Sequence, residues 1–300
     1  MEGHMLKSPS RNEIEIRRYE LLLEDILATA EKLPPFPDII WKVMPLIQRM
    51  APVSEIEAVI RYDQAITARV LALSQSAFYG RRYGITTLRD AIIVLGGQTL
   101  LQVVMTACAA RYFQARISGY DAREGRLWQH SVATALMAEM LAKHRKQRRS
   151  LTIFTAALLH DIGKTVLDLY FKIHVHATVS EISEEGMDIL DAERAALGID
   201  HQKLGEIIAS RWRFPPEVAA AIGYHHTPLK IVEHREIAAT VYMANHLVKR
   251  FEMPPEDNGE LSIEHDPVFQ ERGINKGLAE DLQQQVIDAL EGIKDFLHSV

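Results

Sequence analysis

Apolar residues recur at helical spacing along almost the whole chain, and no stretch of useful length alternates as a strand does. The first stripe, with Leu21, Leu22, Ile26 and Leu27, predicts a helix over Ile14 to Glu31. Leu33-Pro34-Pro35-Phe36-Pro37 ends it, because proline lacks an amide hydrogen and restricts the residue before it. A second helix is expected across Ile39 to Met50, bent or divided at Pro45. Ser54-Glu55-Ile56-Glu57 has the form of a capping box opening a third. Asp63 to Thr67 reads as a break and a restart. Thr87 is placed to cap a helix carrying Leu88, Ala91, Ile92 and Leu95. Gly96-Gly97 is expected to end that helix before another from Leu100 to Tyr112.

The composition turns polar around Gly119 to Gly125, which suggests a boundary. Helices resume over Leu127 to Lys143, Leu151 to His160 and from about Thr165. Ile173 to Leu197 reads as helix, loop, helix. Further helices are expected over His201 to Arg213, Pro216 to Tyr224 and Glu236 to Phe251. Pro254 to Asp266 is polar, and a last amphipathic helix runs from about Leu278 to Leu297.

Composition narrows the function classes. The 300 residues are 47% hydrophobic, enough for a sizeable core. A net charge of −6 argues against a nucleic-acid binder that relies on bulk positive charge. The basic run Lys143 to Arg149 reads as the solvated end of a helix. Cys108 is the one cysteine and cannot form an internal disulfide. Met1 to Lys7 has no apolar signal core, and no apolar stretch reads as long enough to cross a bilayer, so a cytoplasmic location is expected.

The histidines are unevenly placed. His130 lies in Trp128-Gln129-His130-Ser131-Val132, His160 and Asp161 end an apolar helix, His201 begins another, and His225-His226 precede Thr227-Pro228. Imidazole nitrogen and carboxylate oxygen are good ligands for divalent iron, manganese, zinc or nickel. A helix end can aim adjacent His160 and Asp161 at one ion, with His130 as a third ligand. His201, His225 and His226 can build a second position that shares Asp161. Two such ions can hold a hydroxide and a phosphoryl oxygen together. Lys164, one turn after Asp161, can offer positive charge to a phosphate. His144, His174, His176, His234, His246, His265 and His298 stand in polar or irregular contexts and read as surface residues.

His130, Leu159-His160-Asp161-Ile162-Gly163-Lys164 and His225-His226 together resemble the HD superfamily of metal-dependent phosphohydrolases. Leu33 to Pro37, Asp63 to Leu71, Ser76 to Gly80, Ile85 to Gly96, Asp200 to Gly205 and Trp212 to Pro215 are similar to segments of HDOD domains, the HD-related output domains. The likeness runs from about Leu33 to Phe251. It implies an all-α fold in which an N-terminal helical bundle packs against a C-terminal HD-like bundle. On that basis residues 1–32 are an N-terminal helical extension, 33–120 the N-terminal HDOD subdomain, 121–251 the HD-like subdomain, and 252–300 a C-terminal loop and helix. It also implies a bacterial signalling role.

The sequence departs from the HD pattern in places that bear on activity. Asn245 stands where the late aspartate ligand is expected, and an amide is a weaker, uncharged ligand. Gln64 and Gln75 replace the usual Pro and Asn of the N-terminal motifs. The GYP segment of active cyclic-di-GMP hydrolases is absent. Two readings follow. One is a regulatory or output protein acting through a degenerate pocket, with a signalling protein as partner and a nucleotide-like ligand. The other is a metal-dependent phosphohydrolase acting on a nucleotide or cyclic dinucleotide, with Asp161 and Lys164 as catalytic residues. The metal set in either case is His130, His160, Asp161, His201, His225, His226 and Asn245, holding one or two ions. Neither reading calls for a membrane or a nucleic acid. The loop Tyr79 to Gly84, with Arg81, Arg82 and Tyr83, offers a docking surface for an acidic partner as an alternative to an ordinary exposed loop.

Overall fold

Prolines decide where the first helices begin. The computed structural model describes residues 11–76, 85–113, 118–120, 125–175, 187–252 and 263–293. Helix α1 (Arg11–Lys32) stops just short of the proline run. Helices α2 (Asp38–Gln48) and α3 (Val53–Ile60) start directly after Pro37 and Pro52. The α3 start corrects the capping-box expectation. Ser54 already lies inside the first turn, and no side chain caps that end. Pro45 sits within α2 without ending it.

Side-chain caps set the next two helix starts. Asp63 opens α4 (Gln64–Ser74) by accepting the Ile66 amide at 3.0 Å. Thr87 opens α5 (Leu88–Ala110) by accepting the Asp90 amide at 3.1 Å. Gly96, at φ 72° and ψ 168°, breaks α5 into two arms, a conformation that a side chain would strain. By length and composition α5 could cross a membrane, contrary to the sequence expectation, yet 67% of its apolar window is buried in the fold.

The second half comprises α6 (Arg126–His144), α7 (Ser150–Leu159), α8 (Ile162–Tyr170), α9 (Ile189–Leu197), α10 (His201–Arg211), α11 (Pro216–Gly223) and α12 (Arg235–Glu252). Short α13 (Pro267–Glu271) and α14 (Lys276–Gly292) follow. No strand occurs among the described residues, and the architecture is all-α. Helices α2 to α5 pack together, and α5 also lies against α7. In the other bundle α6 packs on α7 and α12, and α10 on α8 and α11. Helix α14 covers α6 and α12 with Leu282, Val286 and Ala289, while Leu297 lies outside the described residues. Helix α1 lies along α8, α9 and α10.

An aromatic junction joins the halves. Buried Phe36 packs against Tyr112, Trp212 and Phe214. The Trp212 indole donates to the Pro34 carbonyl at 3.1 Å, and Arg111 donates to that of Pro35 at 2.6 Å. The proline run therefore does more than stop a helix. It presents the Pro34 and Pro35 carbonyls to donors from both bundles.

Candidate metal centre

Each candidate ligand is placed by a local feature of its element. Between α7 and α8 only His160 and Asp161 intervene, and Asp161 takes φ −97° and ψ 12°. This tight junction turns both side chains toward one buried volume. Gly163 lets α8 approach α10 closely, since a Cβ there would lie 2.2 Å from the His201 carbonyl oxygen. His201 is the first residue of α10, fixed by Gly198 at φ 77° and by Asp200, which accepts the Lys203 amide at 2.8 Å. His225 and His226 follow the end of α11. His130 projects from α6 and Asn245 from α12, both buried.

These residues meet around Asp161, which is 1% exposed. Its Oδ2 lies 3.4 Å from His160 Nε2, 3.9 Å from His130 Nε2 and 2.8 Å from Lys164 Nζ. Its Oδ1 lies 3.4 Å from His201 Nε2 and 3.6 Å from His225 Nε2. One carboxylate thus stands between two donor groups that can hold a metal: His130, His160 and Asp161 on one side, and His201, His225 and His226 on the other. Asn245 closes the first side, with its amide oxygen 3.1 Å from His130 Nε2.

The outer nitrogens of four rings are already committed. His160 Nδ1 donates to the Ala157 carbonyl at 2.7 Å, and His225 Nδ1 to that of Ile222 at 2.8 Å. His201 Nδ1 lies 2.7 Å from the Glu193 carboxylate, and His130 Nδ1 2.9 Å from that of Glu252. A carbonyl only accepts, so His160 and His225 carry their proton on Nδ1 and turn a bare Nε2 inward. The Nε2 atoms of His201 and His225 then face each other at 3.3 Å. Buried His160 Nε2, His226 Nε2 and Asp161 Oδ1 have no hydrogen-bond partner. Converging lone pairs of this kind repel unless a cation lies among them, so the donor set fits a metal ion.

The electrostatics agree. Burial pushes His160 below its ordinary value, and pushes His225 and His226 well below it. Burial would raise the Asp161 carboxyl, but the Lys164 ammonium beside it outweighs that and holds it well below the usual carboxylate range. Neutral imidazoles and an ionised carboxylate are the protonation states that ligation needs. In protein stripped of metal, the unfolded chain takes up protons on these histidines as pH falls through their ordinary 6.5, while the folded protein resists. Stability is expected to be full above that value and to decline below it. Urea midpoints measured in chelator from about pH 7.5 to about pH 5 check this, and a flat profile would refute it.

Glu193 and Glu252 were missed by the sequence reading. Glu193 is 0% exposed and accepts from the backbone and ring nitrogens of His201 and from the Tyr120 hydroxyl. Burial would raise its carboxyl, but His201 and its hydrogen bonds bring it below the ordinary value. A signal was present, because Glu193 falls on the apolar stripe of α9 between Leu190 and Leu197, where a charge is out of place. Glu252 likewise continues the buried stripe of Ala244, Asn245 and Val248. His246 corrects the surface assignment: it is half-buried against Tyr242 and Phe269, and burial pushes it down to about 4. His144 and His265 are exposed. The Tyr79 to Gly84 loop, His176 and His298 lie outside the described residues.

The sequence profile of the HDOD domain matches residues 33–228. A solved HDOD domain protein of unknown function from Geobacter sulfurreducens is 22% identical, with a TM-score of 0.70 over 95% of this chain and 97% of that one. A Marinobacter aquaeolei protein provisionally described as a signal transduction protein has a TM-score of 0.68 at 21% identity, over 93% of this chain and 66% of that one. A Shewanella amazonensis protein provisionally described as a metal-dependent phosphohydrolase has a TM-score of 0.60 at 17% identity, over 91% of this chain and 99% of that one. An uncharacterized protein of Treponema pallidum is 24% identical over 234 residues, which are 76% of this chain and 44% of its own length. The chain thus spans less than half the length of that curated relative.

Proposed function

The chain belongs to the HDOD family, and from that membership we propose that it is a regulatory module of bacterial signal transduction whose pocket senses a phosphate-bearing, nucleotide-like ligand beside a bound divalent transition metal, with a protein contact as its output. The observation that carries this reading is the inequality of the two sides of Asp161. On the Oδ1 side stand three histidines, and the Nε2 atoms of His201 and His225 face each other at 3.3 Å. On the Oδ2 side the late carboxylate of the HD pattern is Asn245, already hydrogen-bonded to His130. His201, His225, His226 and Asp161 would hold one ion. His130, His160 and Asn245 would hold a second more weakly, for want of a negative charge.

A bound divalent ion supplies positive charge to a phosphoryl oxygen and acidifies a bound water. The chain's own residues do the rest. Glu193, itself held by the Tyr120 hydroxyl, fixes the His201 ring, and Lys164 holds Asp161 ionised. A single ion binds a phosphate without clamping both the attacking and the leaving oxygen, and binding without turnover suits a sensor.

The complete histidine set supports the second reading, a phosphohydrolase. Metal analysis and turnover separate the two. Tag-free protein reloaded with iron, manganese, zinc or nickel is expected to hold about one ion per chain, and Asn245→Asp to raise the content toward two. Turnover of nucleotides, cyclic dinucleotides and a chromogenic phosphodiester is expected to stay well under about 1 per second. A rate at or above that level, lost in both His160→Ala and Asp161→Ala, would overturn the sensor and establish the hydrolase.

A further inference from the structure

Helix α12 carries a positive charge that no acidic group among the described residues pairs. Asn245 and Glu252 both meet the His130 ring, one at Nε2 at 3.1 Å and the other at Nδ1 at 2.9 Å. They are two turns apart, so they mark one face of α12 and aim it at the pocket. Lys249 lies on that face, four residues after Asn245 and three before Glu252. It is half-buried and makes no hydrogen bond or ion pair within the described residues. The pocket's other lysine, Lys164, is 7% exposed and bound to Asp161 at 2.8 Å.

The charged groups facing Lys249 are Lys164 and His226 on the basic side and Asp161, Glu252 and Asp188 on the acidic side. Burial and the Lys164 charge outweigh the three carboxylates and push the Lys249 ammonium down to about 8. Two ammonium groups that disfavour each other border a pocket whose deep carboxylates, Asp161 and Glu193, already have partners. The charge such a site lacks is an anion, and it must be small enough to reach both lysines. Carboxylates among the described residues are near yet do not pair with Lys249. A phosphate group, with several acceptor oxygens and up to two negative charges, satisfies both ammonium groups at once.

We propose that Lys249, together with Lys164, anchors the phosphate group of the ligand at the mouth of the histidine pocket. The inference rests on the reading that the pocket takes a phosphate-bearing ligand, and it adds the residue that recognises that group. Its test is independent of the metal. Inorganic phosphate is titrated calorimetrically into the full chain, once stripped by chelator and once reloaded with manganese. A nucleoside monophosphate and its parent nucleoside are titrated in parallel.

Wild type is expected to bind phosphate in both forms, and the nucleotide but not the nucleoside if the ligand is a nucleotide. Lys249→Ala is expected to weaken phosphate at least about tenfold at unchanged melting temperature and metal content, and Lys249→Arg to restore most of the affinity. Saturating phosphate is also expected to slow acylation of Lys249, read by mass spectrometry. The proposal fails if wild type binds no phosphate, if Lys249→Ala binds it as wild type does, or if phosphate leaves the acylation rate unchanged. Phosphate binding that depends on Lys249 in a protein that takes up no metal would refute the metal reading and leave the anchor standing.

Discussion

Asp161→Asn is expected to remove metal from both sides of the pocket at once, because Asp161 is the residue whose two oxygens face both histidine groups. The side chain keeps its shape and loses its charge, so the change isolates electrostatics from packing. A second cost follows from Lys164, which loses the partner at 2.8 Å that its buried ammonium depends on. Removing one member of a buried ion pair typically costs about 3–5 kcal/mol. The metal-free variant is therefore expected to unfold at clearly lower denaturant than metal-free wild type. Metal analysis and urea midpoints on the two proteins check both effects. Wild-type metal content in Asp161→Asn would remove the bridging role.

Gly163→Ala is expected to be nearly as damaging, although it touches no ligand side chain. The added Cβ would lie 2.2 Å from the His201 carbonyl oxygen, 2.9 Å from its carbon and 3.0 Å from the Gly205 nitrogen. All three are backbone atoms, so no rotamer change relieves the contact, and α8 and α10 must part. Alanine gains about 0.5–1 kcal/mol over glycine in a helix, while overpacking costs about 1–3 kcal/mol or more. Overpacking wins here because the obstacle is rigid. His201 moves with α10 and away from Asp161, so metal affinity is expected to fall about tenfold or more. Gly205→Ala is expected to strain the α10–α11 contact instead, since its Cβ would meet the branch methyl of buried, β-branched Ile222 at 2.7 Å. Equal stability and metal affinity for Gly163→Ala and wild type would show that this close approach does not set the site.

The helical class was legible because periodicity is a local property. Asp63, Thr87 and the Gly96 break were legible for the same reason, each acting within a few residues of its own position. Ser54 misled because the cap pattern is also a common surface pattern, and Pro52 starts the helix earlier. The residues around Asp161 stood out as histidines in apolar surroundings, which few other demands on a sequence produce. Their supports did not stand out. Glu193 and Glu252 are acids on helices rich in charge, and only their register reveals that they point inward. The docking of α1 along α8, α9 and α10 was not legible, since no local rule says which distant face covers an apolar stripe.

Helix α10 has the pocket at one end and the junction between the bundles at the other. Its first residue is His201, and Trp212 follows its last, with the indole held by the Pro34 carbonyl. Eleven helical residues make a rod about 16 Å long. A regular helix strains little along its axis, so it behaves as a strut more than as a spring. The same rod thus sets two distances at once: how far the His201 ring stands from Asp161 at one end, and where the Trp212 indole meets the Pro34 carbonyl at the other.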